Sequence, residues 1–354
     1  MTASRQPVAT APLLAEEDRR IHELVRGLHE LKPAAYWVDL LITAAAGWTS
    51  FCLAVYLRSF SGGMLIATVI AAAALYRGLC FIHEISHQTS RSLPAFELVW
   101  NLLIGFPLLV PSTMYAGVHS GHHRLETYGT SNDPEYLPFA RSSRMTVLFA
   151  IQSFLIPVAL VVRFVALTPV ALLWPALQKW LVVHASSLTM NPAFRREATP
   201  DLIAAVRRQS AGILALWGAF AALLFRGSLP MRTLAIWLTV SALISFINTL
   251  RTLGAHGYES GGESLDRRGQ LHDSIDTPGA MWTELWAPVG LRYHALHHFF
   301  PGIPYHNLGP ASRRIANELP AGAEYHRVRS AGLARSLAAL YRKGRRTSKE
   351  RTPR

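Results

Sequence analysis

The residues best able to do chemistry in this 354-residue chain are histidines in three clusters, His83-Glu84-Ile85-Ser86-His87, His119-Ser120-Gly121-His122-His123 and His294-Ala295-Leu296-His297-His298. Spacings of three and four residues put side chains on one face of a helix, so each cluster can aim its imidazoles at a single point. Buried imidazoles need partners, and scattered core histidines do not favour such spacing, so the clusters read as metal ligands. Imidazole suits iron, zinc, copper and nickel alike, and residue type alone leaves the metal open. Number says more. A catalytic zinc takes about three protein ligands, whereas eight or nine histidines are enough for two octahedral ions with vacancies, and two irons sharing oxygen is the natural reading. The ninth candidate is His256, which follows an apolar segment containing Asn248. His22, His29, His184 and His306 stand alone and read as surface or structural residues.

The elements that must carry these clusters are membrane helices. Hydrophobic residues make up 50% of the chain and charged residues only 16%, against about a quarter charged in an ordinary soluble protein. The formal net charge of +13 admits anionic lipid, an acidic partner or nucleic acid, and the long apolar runs make nucleic acid the poorest fit. Cys52 and Cys80 both lie in apolar stretches and build neither a disulfide framework nor a metal site. Tyr36 to Leu57 and Met64 to Ile82 form one transmembrane hairpin, Ser210 to Phe225 and Thr233 to Leu250 a second, since about 20 apolar residues cross the hydrocarbon core. Leu98 to Val110 is short and holds Pro107, which suits a re-entrant piece; Met145 to Leu173 is long but broken by prolines and is either interfacial or a further hairpin.

Two hairpins leave all three clusters on one side, and the arginines flanking them assign that side to the cytoplasm. No secretory signal is visible, and both termini are expected there. The predicted organisation is an all-α membrane protein of about four spans plus interfacial helices. Residues 1–33 form a cytoplasmic tail with an amphipathic helix, residues 34–320 the membrane domain, and residues 321–354 a basic tail whose end, Arg342 to Arg354, reads as a solvated segment attracting anionic lipid.

The order HxxxH, HxxHH, HxxHH, with hairpins before the first cluster and between the second and third, resembles the integral-membrane fatty acid desaturase family. The likeness covers roughly His83 to Pro310 and includes Asn132-Asp133-Pro134-Glu135 and the run from Phe299 to Leu308. It implies a desaturase domain with two ferrous ions on His83, His87, His119, His122, His123, His256, His294, His297 and His298. It further implies dioxygen as oxidant, a fatty acyl lipid as substrate, and electrons from a ferredoxin-like or cytochrome-like carrier with its reductase. An acidic carrier would suit the basic face. Glu84, Asp133, Glu135 and Asn248 are candidates to orient ligands or hold water around the metals.

Two other readings compete. A membrane hydroxylase or ketolase would carry the same clusters and insert oxygen in place of removing two hydrogens. The stretch His83 to His87 also fits HExxH, in which two histidines hold zinc and Glu84 is the general base of a membrane protease; that leaves the other two clusters unexplained. Arg77 in the second span is functional or snorkels, and the turn-rich segment Gly257 to Pro278 is an entrance cap or a surface loop.

Overall fold

The computed structural model describes residues 11–88 and 91–350; the first ten residues of the expected tail and the last four of the basic end lie outside them. Among the described residues the chain is helical, with only isolated β-bridges such as His256 to Ser274. In order these are α1 (Ala11–Leu24), α2 (Pro33–Tyr56), α3 (Gly62–His87), α4 (Phe96–Trp100), α5 (Val118–His122), α6 (Ser143–Gln152), α7 (Ile156–Val161), α8 (Leu167–Leu173) and α9 (Pro175–His184). The series continues with α10 (Pro200–Phe225), α11 (Arg232–Ala255), α12 (Arg267–Asp273), α13 (His294–Phe299), α14 (Tyr305–Glu318) and α15 (Leu333–Glu350).

The first hairpin is set by its ends. Pro33 occupies the first turn of α2, where its missing N–H costs no hydrogen bond, and the Ser61 hydroxyl caps α3 by accepting from the Met64 N–H at 3.2 Å. Gly47 lets the two helices close, since a Cβ there would stand 2.6 Å from the Leu75 side chain and 3.3 Å from its backbone nitrogen. Arg77, near the site end of α3, neither snorkels nor stands free: it pairs with Asp39 on α2 and Glu284.

After the first cluster the chain dips back toward the membrane as α4 and a π-helical turn, Asn101–Gly105. Carbonyls at the tip of such a loop have no water to bond in hydrocarbon. Three indoles supply the hydrogens: Trp48 donates to Leu103 O at 2.7 Å, Trp217 to Phe106 O at 3.1 Å and Trp237 to Pro107 O at 2.9 Å. A fourth, Trp100, anchors the loop to Gly78 O on α3 at 2.7 Å. The expected re-entrant piece is thus pinned between α2, α10 and α11.

Five helical stretches are long and apolar enough to cross a membrane, where the sequence suggested about four; the fifth is Ser143–Leu173. Its contacts lie in the halves of α10 and α11 nearer the site. The turn between α10 and α11 lies at the far end of the molecule, where Arg232 donates to Leu57 O beside the α2–α3 turn. Ser143–Leu173 instead lies near the opposite ends: Phe154 stacks on Phe246 of α11, and Arg163 donates to Ala185 O and lies against Val206 and Ser210 in the first turns of α10. An odd number of crossings between the second and third clusters would also separate clusters that meet in space. Ser143–Leu173 is interrupted by a 3-10 turn and a π turn, and its last part, with α9, packs against α10.

A cap closes that side. Ile21, Val25 and Leu28 pack on Leu296, Phe299, Leu308 and Ile315, fixing the short helix α13 that carries the third cluster. As far as Glu350 the basic end belongs to a packed helix: α15 sets Leu337 and Leu340 against Phe139 and Leu253, and Gly344 allows the contact because a Cβ would meet Ser143 N at 2.6 Å.

Candidate metal centre

The site draws on the C-terminal ends of α3 and α11 and on two short helices, α5 and α13. It brings together all nine histidines named from sequence, in two groups: His83, His87, His119, His123 and His297, and His122, His256, His294 and His298. Within each group one ligand nitrogen per residue lies within 4.8 Å of the others. The second and third clusters are split between the groups. His119 and His123, one helical turn apart, face the first group while His122 between them faces the second; His297 faces the first while His294 and His298 face the second. The groups adjoin, with the His123 and His298 rings stacked at 4.2 Å between centroids.

The nitrogens point at common centres. Nε2 atoms pair at 3.0 Å for His119 and His123, 3.1 Å for His123 and His297, 2.8 Å for His256 and His294, and 3.2 Å for His294 and His298. Ligands about 2.1 Å from one ion and at right angles stand about 3 Å apart. Both ring nitrogens of His83, Nε2 of His87 and Nε2 of His122 are buried without a hydrogen-bond partner, a costly arrangement unless something else binds them. Burial first, then neighbouring imidazoles, holds His119, His123, His294, His297 and His298 well below the ordinary imidazole value. Neutral rings keep the lone pair a metal needs. This donor set fits two metal ions.

Carboxylates and phenols hold the outer nitrogens. His122 Nδ1 lies 2.9 Å and 3.0 Å from the two oxygens of Asp133, which also accepts from the Gly129 and Glu135 backbone N–H groups. Burial opposes a charge on His122, and Asp133 together with Glu135 and Asp273 more than offsets it, so its pKa is raised. His119 Nδ1 meets Tyr115 Oη at 2.9 Å and Glu135 Oε1 at 3.1 Å; burial pushes Glu135 up to about 7. His256 Nδ1 meets Tyr128 Oη at 3.0 Å, and that hydroxyl donates to Asp273.

Two of the residues expected to orient ligands are used otherwise. Glu84 stands 3.6 Å from His83 Nδ1, beyond a hydrogen bond, and accepts from the Tyr36 hydroxyl and the Tyr305 backbone N–H. It ties α2 to the first residue of α14, which engages its carboxylate in a structural contact. His83 and His87 also share their group with three further histidines, so an HExxH zinc site does not fit. Asn248 accepts from Arg251 at 3.0 Å and bonds no histidine. The segment Gly257 to Pro278 is more than a plain surface loop: it delivers Asp273 under His256, and Asp276, whose carboxylate accepts from the Leu296 N–H inside the third cluster at 3.1 Å and from Tyr325 at 2.8 Å.

Tyr115, Tyr128 and Arg251 were not found from sequence. Tyr115 could have been, standing four residues before His119. Nothing local marks Tyr128 as a partner of His256, which lies 128 positions away. His22, His29 and His184 are exposed, and His306 accepts from the Lys32 backbone N–H at 3.1 Å, a structural role.

The comparisons with known proteins agree with this arrangement. The model of the family described as fatty acid desaturase matches residues 59–329. The ceramide hydroxylase of Caulobacter vibrioides (strain NA1000 / CB15N) is 38% identical over 335 residues, covering 94% of this chain and 95% of that protein. A match running from the first hairpin past the third cluster, with such identity along nearly the whole of both chains, makes this chain a membrane-bound oxidoreductase of the fatty acid desaturase family.

Proposed function

We propose that this chain is an oxygen-dependent hydroxylase of ceramide-like membrane lipids, with two irons held by its nine clustered histidines. The observation that carries the choice of reaction is the 38% identity to a ceramide hydroxylase across 94% of the chain. Desaturation, the outcome implied by the clusters and by the family description, is the second reading, because both outcomes begin with removal of one hydrogen from an unactivated carbon.

The iron pair, when bound, supplies the reduction of dioxygen and the oxidising power for C–H cleavage. The chain's own residues do the rest. The two histidine groups would hold one ion each, and Asp133, Glu135 and the Tyr128–Asp273 pair fix ring orientation from behind. The buried setting excludes water from the reacting carbon. Electrons come from an external carrier, ferredoxin-like or cytochrome-like, docking on the basic cytoplasmic face that also bears the termini.

The test is expression in a bacterial host supplied with a reductase and ceramide, with the His297→Ala variant as control and lipid mass spectrometry as readout. A species sixteen mass units heavier, absent in the control, is expected. A species two units lighter would return the chain to the desaturases, and one zinc per chain in place of two irons would overturn the metal assignment.

A further inference from the structure

Arg251 lies at the site end of α11, five residues before His256, and among the described residues no carboxylate pairs with it. Its side chain lies against Tyr76 and Cys80 of α3, its Nη2 donates to the Asn248 carboxamide at 3.0 Å, and its Nε is buried with no hydrogen-bond partner. Arg77, the other arginine at this depth, is fully engaged by Asp39 and Glu284. Asn248 turns the guanidinium inward, against the outward course a snorkelling arginine takes.

A buried guanidinium N–H without a partner is costly unless an oxygen fills it. Facing a run of methylenes it would oppose binding, and facing a carbonyl or hydroxyl it would favour binding and fix register. We propose that Arg251, set in place by Asn248, binds an oxygen of the lipid's polar linkage, an amide carbonyl or neighbouring hydroxyl, and so directs oxidation to a carbon close to the head group rather than to mid-chain. This rests on the reading of the site as one that oxidises a lipid, and it names the part of the lipid that the site recognises.

The experiment uses the full chain in detergent, with a short-chain ceramide and an analogue in which the neutral trans-alkene isostere, which adds no charge, replaces the amide. Wild-type protein is expected to bind the ceramide about 10- to 100-fold more tightly than the analogue. Arg251→Gln should bind both alike while still holding two metals per chain, which shows that the centre has assembled, and Arg251→Lys should fall between. Equal binding of the two lipids by wild type, or undiminished ceramide binding by Arg251→Gln, overturns the proposal. Product mapping separates the two claims. Oxidation confined to mid-chain carbons overturns the role of Arg251 and leaves lipid oxidation standing, whereas a double bond next to the head group overturns hydroxylation and leaves the role of Arg251 standing.

Discussion

Nδ1 of His122 lies 2.9 Å from Oδ1 of Asp133, and Asp133 is fully buried with its remaining capacity taken by the Gly129 and Glu135 N–H groups. The carboxylate is thus fixed by the backbone before it fixes the imidazole. Asp133→Ala is expected to weaken metal binding at the second histidine group by about 10- to 100-fold, read as a fall from two irons per chain toward one. Asp133→Asn keeps one acceptor and should retain more metal. Equal stoichiometry in wild type and Asp133→Ala would refute the role.

The division of nine histidines into a group of five and a group of four can be tested directly. His256→Ala removes a ligand from the smaller group and His123→Ala from the larger. Each variant should lose one iron and keep the other, whereas a single shared ion would be lost in both. Metal analysis of purified protein, with thermal melting as a check on folding, distinguishes these outcomes.

Trp237 donates to Pro107 O at 2.9 Å, closing the tip of the re-entrant loop. Phenylalanine keeps most of the ring and removes the donor, leaving a carbonyl unsatisfied in an apolar setting. Trp237→Phe should therefore destabilise the protein by about 1–3 kcal/mol, seen as a lower melting temperature in lipid nanodiscs. Trp180, 51% exposed, offers a control whose replacement should change stability by less than about 0.5 kcal/mol.

Much of this was legible from spacing. The clusters at His83, His119 and His294 carry helical periodicity, and the apolar runs fixed the hairpins and so the shared side of the site. What escaped were contacts distant in sequence, such as Tyr128 with His256 and Asp276 with Leu296, because a lone tyrosine or aspartate has no periodicity to betray its partner. Ser143–Leu173 was hard to read for a different reason: apolar length measures only the ability to cross, and says nothing of neighbours such as Phe246 for Phe154 and Ala185 for Arg163. For α15, Leu333, Leu337, Leu340 and Tyr341 stand at helical spacing, a signal that the abundance of arginine obscured.

Asp276 gives the pH dependence. Its carboxyl is pushed by burial up to about 6, from an ordinary 3.8, although Tyr325 and the Leu296 N–H stabilise the charged form. Between those values the folded protein holds a proton that the unfolded chain has released, so stability falls as pH rises through the window and is constant above it. Two pKa units correspond to roughly 3 kcal/mol against the folded state at neutral pH. Asp276→Asn should remove this contribution: the difference in melting temperature between variant and wild type should move in favour of the variant from pH 4 to pH 6 and then level off. A difference that does not change across that range would show that Asp276 titrates alike in the folded and unfolded chain, and that its contacts with Leu296 and Tyr325 fully compensate its burial.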